Sequence, residues 1–340
     1  MKIAIITGSY PPDVCGVSDY TKRLEQYLRI IGVDVRIYTG RDWRLRYALK
    51  NSAELARLGA DIIHMQYPST GYGWKLGPQL MALARPMVVT LHEASQAHLL
   101  RRLALYPFGA RSQRLIFTNE YEQAYVRRFA PWLSSRSWLI PIGNNVPLVS
   151  FPSERLKDTI TYFGLIRPGK GLEEVMELGR LIKAGSRHWK VRIIGKLMPG
   201  YEGYYEQLRL RAKDLPFDWR IGLDGDALSL ALASSDIAYL PFPDGASERR
   251  SSLIALLANG SAVITTKGPH TPSLIQESVF FASSPSEALE HIDALEHDSA
   301  RKILLQQRAR AYSRKFEWQE IALQHISVYE SVLCRSRRVQ

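Results

Sequence analysis

The chain has 340 residues, more than one hydrophobic core usually serves, so two domains are the natural expectation. It is 46% apolar and 23% charged with no biased tract, and its two cysteines, Cys15 and Cys334, stand near opposite ends in neither disulfide-framework nor metal spacing. A formal charge of +12 and a pI near 9.6 call for acidic surroundings, whether nucleic acid, anionic lipid or a phosphorylated small molecule.

No stretch approaches the roughly 18–20 apolar residues of a membrane span; the longest, Leu253–Val263, is broken by Asn259 and Gly260. The apolar run at Met1–Ile6 is too short for a signal peptide before Thr7-Gly-Ser-Tyr-Pro-Pro intervenes. These features set the expectation of a cytoplasmic protein.

Strand and helix patterns alternate from the start. Lys2–Thr7 reads as a buried strand, Asp19–Ile31 as a helix and Val33–Tyr38 as a strand. A helix over Leu45–Leu58, a strand Ile62–Met65, a helix Leu76–Ala84 and a strand Met87–Leu91 follow. Strands Arg114–Phe117 and Trp138–Ile140 flank a helix Glu120–Phe129. Pro147, Pro152 and Ser153 then mark a linker. The alternation restarts with strands at Thr159–Phe163, Lys190–Ile194, Phe217–Ile221, Ile237–Leu240 and Ala262–Thr265. Helices at Leu172–Ile182, Tyr204–Ala212, Ala227–Ala233 and Ser251–Ala258 separate them, and Glu287–Leu295, Arg301–Lys315 and Trp318–Leu333 close the chain. The pattern predicts an α/β protein of two Rossmann-like, doubly wound domains with parallel sheets. Their ligands belong at the carboxyl ends of strands, gathered by a cleft between the halves.

Two known phosphate-binding patterns fail on particular residues. A dinucleotide fold wants Gly-x-Gly-x-x-Gly after the first strand and an acid ending the second; here the loop is Gly8-Ser-Tyr-Pro-Pro-Asp-Val-Cys-Gly16 and the strand ends Tyr38-Thr-Gly. Gly164-Leu-Ile-Arg-Pro-Gly169-Lys170-Gly171 satisfies Gly-x4-Gly-Lys, but Gly171 stands where a nucleotide triphosphatase needs a magnesium-binding Ser or Thr. What remains is a strand-to-helix turn carrying Arg167 and Lys170, read as anion-binding groups in preference to solvated turn cations because Gly164 and Gly171 allow close backbone approach. The loop Pro241–Ser252 is a second such turn. Ser247 or Ser251 could cap its helix, yet Arg249 and Arg250 oppose the helix dipole unless an anion binds there. Two phosphate signals in one half suggest a diphosphate.

These residues resemble the retaining glycosyltransferases of family 4, which have the two-domain GT-B fold, over nearly the whole chain. Tyr10-Pro-Pro-Asp-Val-Cys-Gly16-Val17-Ser18-Asp19-Tyr20 is similar to the family's Pro-rich glycine loop, and Val88-Val-Thr-Leu-His92-Glu93 to its strand-end His followed by an acid. Ile140-Pro-Ile-Gly143-Asn resembles the inter-domain segment, and Phe163-Gly164-Leu-Ile-Arg167-Pro-Gly-Lys170-Gly171 the diphosphate loop. Phe316-Glu-Trp318 and the last helix resemble the segment that crosses back to the first domain. Two departures stand out. Alignment on Asn259-Gly260 puts Ser247 and Ala255 where the family carries two Glu residues, with Glu248 one place off; and Leu165, not an Arg, follows Gly164. Asp244–Ser252 is similar to a variant loop of some members.

The resemblance implies an acceptor-binding domain at residues 1–150, a nucleotide-sugar-binding domain at 151–315 and a returning helix at 316–340. It implies catalytic roles for His92, Glu93, Arg167 and Lys170, with His92 hydrogen-bonding at the sugar. Donor binding falls to Gly16, Gly164, Gly195, Gly222, Gly245, Ser247, Glu248, Arg249, Arg250, Ser251 and Ser252, and acceptor binding to Val17, Ser18, Asp19, Tyr20 and Gln66. The expected partners are a nucleotide-diphosphate sugar and a saccharide or lipid-linked acceptor; transfer is expected with retention and with no metal or other cofactor. Asp224-Gly-Asp226 superficially resembles a metal motif, but its place before Ala227–Ala233 favours helix capping. His64, ending the preceding strand with Gln66, is a weaker site residue.

Between Ala97 and Leu139 seven Arg face two Glu, with Tyr106, Phe108, Tyr125, Phe129, Trp132 and Trp138 interleaved. That mixture suits an anionic membrane surface or an ordinary solvated face, and it supports a peripheral position on the inner membrane face. Two further readings remain open: a basic nucleic-acid-binding protein on the same scaffold, for which charge alone speaks, and a glycosyltransferase-like protein that has lost activity with the Glu pair.

Overall fold

The structure, a computed structural model, describes residues 1–13, 15–93, 105–149 and 154–338. In chain order the first elements are β1 (Lys2–Ile6), α1 (Gly16–Ile30), β2 (Asp34–Tyr38), α2 (Ala48–Arg57), β3 (Ile62–Tyr67), α3 (Gly77–Ala84), β4 (Val88–Leu91), α4 (Tyr106–Arg111), β5 (Arg114–Phe117), α5 (Glu120–Arg127) and β6 (Ser137–Leu139). Then come β7 (Leu156–Ile166), α6 (Leu172–Ala184), β8 (Lys190–Leu197), α7 (Glu202–Arg211), β9 (Phe217–Ile221), α8 (Gly225–Ala233) and β10 (Ser235–Leu240). The chain finishes with α9 (Ser251–Ala258), β11 (Ala262–Thr265), β12 (Phe280–Phe281), α10 (Pro285–His297), α11 (Ser299–Ser313) and α12 (Trp318–Arg338). Two six-stranded parallel sheets result, ordered β2-β1-β3-β4-β5-β6 and β12-β11-β10-β7-β8-β9. They lie in two compact units, residues 1–143 with 316–340, and residues 144–315.

In the first unit the strands are buried on both faces, so successive residues supply two separate cores. Ala4 and Ile6 face one, with Met65, Val89 and Phe117; Ile3 and Ile5 face the other, with Val35, Val88 and Ile116. The second core is covered by α1, through Tyr20, Leu24 and Leu28, and by α12, through Trp318, Ile321, Val328 and Tyr329. Trp318 is held by a glycine: a Cβ on Gly143 would stand 2.4 Å from the indole Cε2. The Ile-Pro-Ile-Gly segment therefore lets the last helix seat its aromatic residue directly on the backbone.

In the second unit β7 starts earlier and ends later than periodicity predicts, running through Gly164 and Leu165 to Ile166. The reason is a register in which Gly164 lies opposite Gly195, two residues without side chains that pair closely in the ladder. The glycine loop proper is thus Arg167–Gly171. Leu45–Leu58, expected as one helix, is a 3₁₀ turn over Leu45–Tyr47 followed by α2. The expected linker residues Pro152 and Ser153 lie outside the described residues. Among the described residues no helix is long and apolar enough to cross a membrane.

Because the first unit's second core needs α12, Trp318→Ala should cost about 3–5 kcal/mol. Urea unfolding should show that loss in the first unit's transition, with the second unit's transition unmoved.

Candidate functional site

In the second sheet the strand order reverses between β7 and β10, the switch point at which ligands of open parallel sheets bind. The loops leaving these two strands touch. Gly171, with φ of 78°, is the residue before α6, and a Cβ there would lie 1.9 Å from the carbonyl oxygen of Pro241. A side chain at 171 would push the loops apart and would also be strained at that φ. The Tyr162 hydroxyl fixes the first loop from below by donating to the Lys170 carbonyl at 2.9 Å.

Three cations meet at this junction. The Lys170 amine is pulled below its usual range by partial burial and then by Arg167 and Arg250; Arg250 is lowered by burial and then by Arg167. Arg250 pairs with Asp244 and lies over the Phe242 ring, 4.9 Å from its centroid. Among the described residues Arg167 and Lys170 have no carboxylate partner. The cluster also lies by the amino terminus of α9, whose first turn carries no acidic residue and whose preceding residue, Arg250, offers no side-chain cap. Helix dipole and three side chains therefore add positive charge of one sign.

Several expectations change here. Ser247 and Ser251 do not cap α9, because Arg250 occupies the capping position. Arg250 does not depend on a ligand alone to offset the helix dipole, since Asp244 already meets its charge. Glu248 turns away: its carboxylate accepts from the Tyr312 hydroxyl at 2.7 Å and pairs with Lys315, so it is tied to the end of α11 and the turn beyond. Arg249 and Ser251 are exposed, and Ser252 is half-buried. Gly195 is buried within β8, while the Gly222 N–H donates to the Gly195 carbonyl at 2.8 Å. Gly164 and Gly195 lie opposite each other in adjacent strands, where Tyr162 and Ile166 pack close over them: a Cβ would meet the Tyr162 hydroxyl or the Ile166 Cδ1 at 2.8 Å. Asp224 does precede α8, but its side chain makes no capping bond.

A third loop, after β11, carries no mark in the sequence reading. Gly245 and Gly268 pack backbone to backbone, so that a Cβ on Gly268 would meet the Asp244 carbonyl at 2.1 Å. Thr266 and Thr271 hydroxyls donate to the carbonyls of Phe242 and Ala246. The signal was available in Thr265-Thr266-Lys267-Gly268-Pro269, another strand end running into glycine. Beside it a cavity of about 490 Å³ is lined by Glu174, Tyr239, Phe242, Lys267, Phe281 and Glu287, among others.

In the first unit His92 follows β4 directly and is 7% exposed. Its N–H donates to the Tyr67 carbonyl at 2.9 Å, and its Nε2 lies 2.8 Å from Gln66 Oε1. Gln66 Nε2 lies 3.2 Å from His64 Nε2, which is 2.7 Å from Thr90 Oγ1; His64 Nδ1 is 2.7 Å from the Tyr329 hydroxyl. Tyr20 meets the His92 ring edge-on at 4.8 Å, and its hydroxyl is 3.3 Å from His325 Nε2. Burial drives the pKa of His92 down to about 3, helped by His325, and that of His325 to about 4; His64 is held well below the ordinary range by burial, His325 and His92. All three rings are neutral at physiological pH.

The residues expected at the acceptor differ in exposure. Gln66 and Ser18 are fully buried, and Tyr20 is 2% exposed in the core against Trp318, because helical spacing turns 20, 24 and 28 toward α12. Val17 is half-buried, while Gly16, Asp19 and Glu93 are exposed. In the Arg-rich segment, Arg101 and Arg102 lie outside the described residues. Arg114 is buried against Ser331, and Arg136 donates to the Ser112 and Gly109 carbonyls, so neither is a surface charge. Arg111, Arg127, Arg128, Tyr106 and Trp132 are exposed.

A pair of doubly wound parallel sheets with glycine turns at the carboxyl ends of their strands defines a protein of the GT-B class. Residues 3–165, just under half of the chain, match the model of Glycosyltransferase Family 4. A glycosyltransferase from Rickettsia africae is similar with a TM-score of 0.71 and 13% identity, covering 98% of each chain. HepE from Anabaena, solved with UDP and glucose, gives 0.66 and 14% over 97% of this chain and 100% of that one. Sucrose-phosphate synthase from Thermosynechococcus elongatus gives 0.64 and 18% over 98% and 100%. At these identities the likeness is one of fold. No curated protein sequence matches.

The buried histidines make the first unit acid-labile. Above about pH 6.5 they are neutral whether the chain is folded or not. Below it the unfolded chain binds protons that the folded histidines refuse, so stability present above pH 6.5 is lost as pH falls toward 4. Each fully engaged histidine contributes a slope of about 1.4 kcal/mol per pH unit. Urea midpoints taken between about pH 7.5 and 5 should fall steadily; a flat profile would show that the rings protonate without unfolding.

Proposed function

We propose that the chain transfers a sugar from a nucleotide-diphosphate sugar to a saccharide or lipid-linked acceptor. The observation that supports this most is the meeting of Arg167, Lys170 and Arg250 with the positive end of α9, with Asp244 as the one carboxylate paired to them among the described residues. Like charges held this close cost free energy unless an anion sits among them. A pyrophosphate supplies two linked anionic groups for the two loops. UDP is the first nucleotide to test, since HepE was solved with it.

In this mechanism the glycosyl–phosphate bond lengthens and negative charge grows on the leaving diphosphate. Arg167, Lys170 and the amides at the start of α9 stabilise that charge, which is the role a metal plays in other transferases. Retention fits a leaving phosphate that takes the acceptor hydroxyl's proton on the face it departs from. His92, neutral and buried, acts as a hydrogen-bonding group at the sugar, and Glu93, exposed beside it, orients the acceptor. Neither is a nucleophile here.

No metal is required in this reading. The one group of three metal-ligating side chains among the described residues, Asp158, His188 and Glu296, includes a residue near the start of β7. Asp158 precedes Gly164 by six residues of extended strand, roughly 20 Å at about 3.3 Å each. The peripheral location rests on Trp132, Tyr106, Arg111, Arg127 and Arg128, an exposed aromatic and basic set suited to the headgroup layer.

A thermal-shift panel of UDP-, GDP- and ADP-glucose should raise the second unit's midpoint with one of them. Lys170→Ala should keep the fold, lose that shift, and cut turnover in EDTA about 10- to 100-fold, the loss of one charged hydrogen bond of about 1.5–3 kcal/mol. Near-normal turnover in that variant, or full dependence on added metal, would refute the assignment. Liposomes containing anionic lipid should sediment the protein at low salt and fail to sediment a Trp132→Ala/Arg128→Glu variant; equal recovery of both would sink the membrane reading.

A further inference from the structure

Building on the reading of His92 as a sugar-facing group, we propose that Gln66 is a positioning residue that fixes His92 as the Nε2–H tautomer, and that Tyr329 sets this choice through His64. An amide oxygen accepts and never donates, so the 2.8 Å contact between Gln66 Oε1 and His92 Nε2 puts the ring proton on Nε2. The neutral ring is then left with an acceptor lone pair on Nδ1, and among the described residues nothing engages that atom. His92 thereby offers a substrate hydroxyl an acceptor, not a donor.

The same amide has a second side. Its NH₂ faces His64 Nε2 at 3.2 Å and can only donate, so that nitrogen carries the lone pair, shared with the Thr90 hydroxyl at 2.7 Å. The His64 proton therefore resides on Nδ1 and is donated to the Tyr329 hydroxyl at 2.7 Å. Donors run in one direction from each end of the amide. Reversing any one link alone would set two N–H groups, or two lone pairs, face to face among residues that are wholly buried: His64, Gln66, Thr90 and Tyr329. An unmade hydrogen bond in such a place is expensive, so the links reverse together or not at all. Tyr329 thus acts on a ring it does not touch.

Long-range ¹H–¹⁵N correlation of histidine-labelled protein reads the tautomers directly. The unsubstituted protein should show His92 protonated on Nε2 and His64 on Nδ1. Tyr329→Phe, which removes the acceptor for His64 Nδ1–H, should reverse both. Gln66→Leu should leave His92 a mixture of tautomers, and Gln66→Glu, which keeps the acceptor, should restore Nε2–H. With UDP-glucose as donor, Gln66→Leu should lower kcat about tenfold with KM within about twofold, a loss confined to the transition state. A His92 proton on Nδ1 in the unsubstituted protein overturns the proposal without any variant, as does a Tyr329→Phe tautomer pattern identical to the parent. Absence of UDP-glucose turnover in every form would count against the transferase reading for that donor, while the spectra would still decide the tautomer.

Discussion

The second unit is organised around an electrostatic conflict that, among the described residues, only Asp244 relieves. Arg167, Lys170 and Arg250 converge where the order of strands reverses, Arg167 lowering the pKa of the other two and Arg250 that of Lys170 beyond the effect of burial, and α9 brings its positive end to the same place. Holding them there takes rigid backbone. Gly171 against Pro241, Gly245 against Gly268 and the Tyr162 hydroxyl under Lys170 are short-range contacts that leave the loops little room to splay. The fold thus holds like charges together at a cost in stability, the relation expected between a stiff scaffold and the anion site proposed above.

The first unit solves a different problem, that of keeping polar groups inside a core. His64, Gln66, Thr90, His92 and Tyr329 bury their side chains in a chain of hydrogen bonds, with Tyr20 and His325 alongside. Desolvation keeps the rings uncharged, and their mutual bonds satisfy what burial exposes. A ring held this way has a defined orientation before any ligand arrives. That is what a group contributing through one hydrogen bond needs, because energy spent on orientation would be subtracted from catalysis.

Much of this was readable from the residues. Alternating apolar runs predict the two parallel sheets, and the glycines and cations of Gly164–Gly171 and Pro241–Ser252 mark the two strand-to-helix turns that the structure brings together. What escaped depended on contacts distant in sequence. Glu248 looked available until Tyr312 and Lys315, more than sixty residues on, claimed its carboxylate. Gln66 and Tyr20, expected at the acceptor for their places at a strand end and by a glycine loop, are buried in the structure and meet His92 and His325, which lie on or beyond other elements, with His64 beside Gln66 on β3. The 164–166 stretch read as loop because glycine breaks strands in general, whereas here Gly164 and Gly195 face each other and extend the ladder. Local pattern reports periodicity well and pairing poorly.

The return of α12 has a consequence for biosynthesis. The first unit's second core is closed by residues 318–332, which leave the ribosome after the whole of the second unit has been made. Until then β1 and α1 carry an uncovered apolar face around Ile3, Ile5 and Leu24, and the last piece must find it across a separation of some three hundred residues. The second unit, continuous in sequence, can finish first as an autonomous insert. The amino-terminal unit is therefore completed after the second unit, and a nascent chain cut short before Trp318 would hold a finished second unit joined to an unsealed first one.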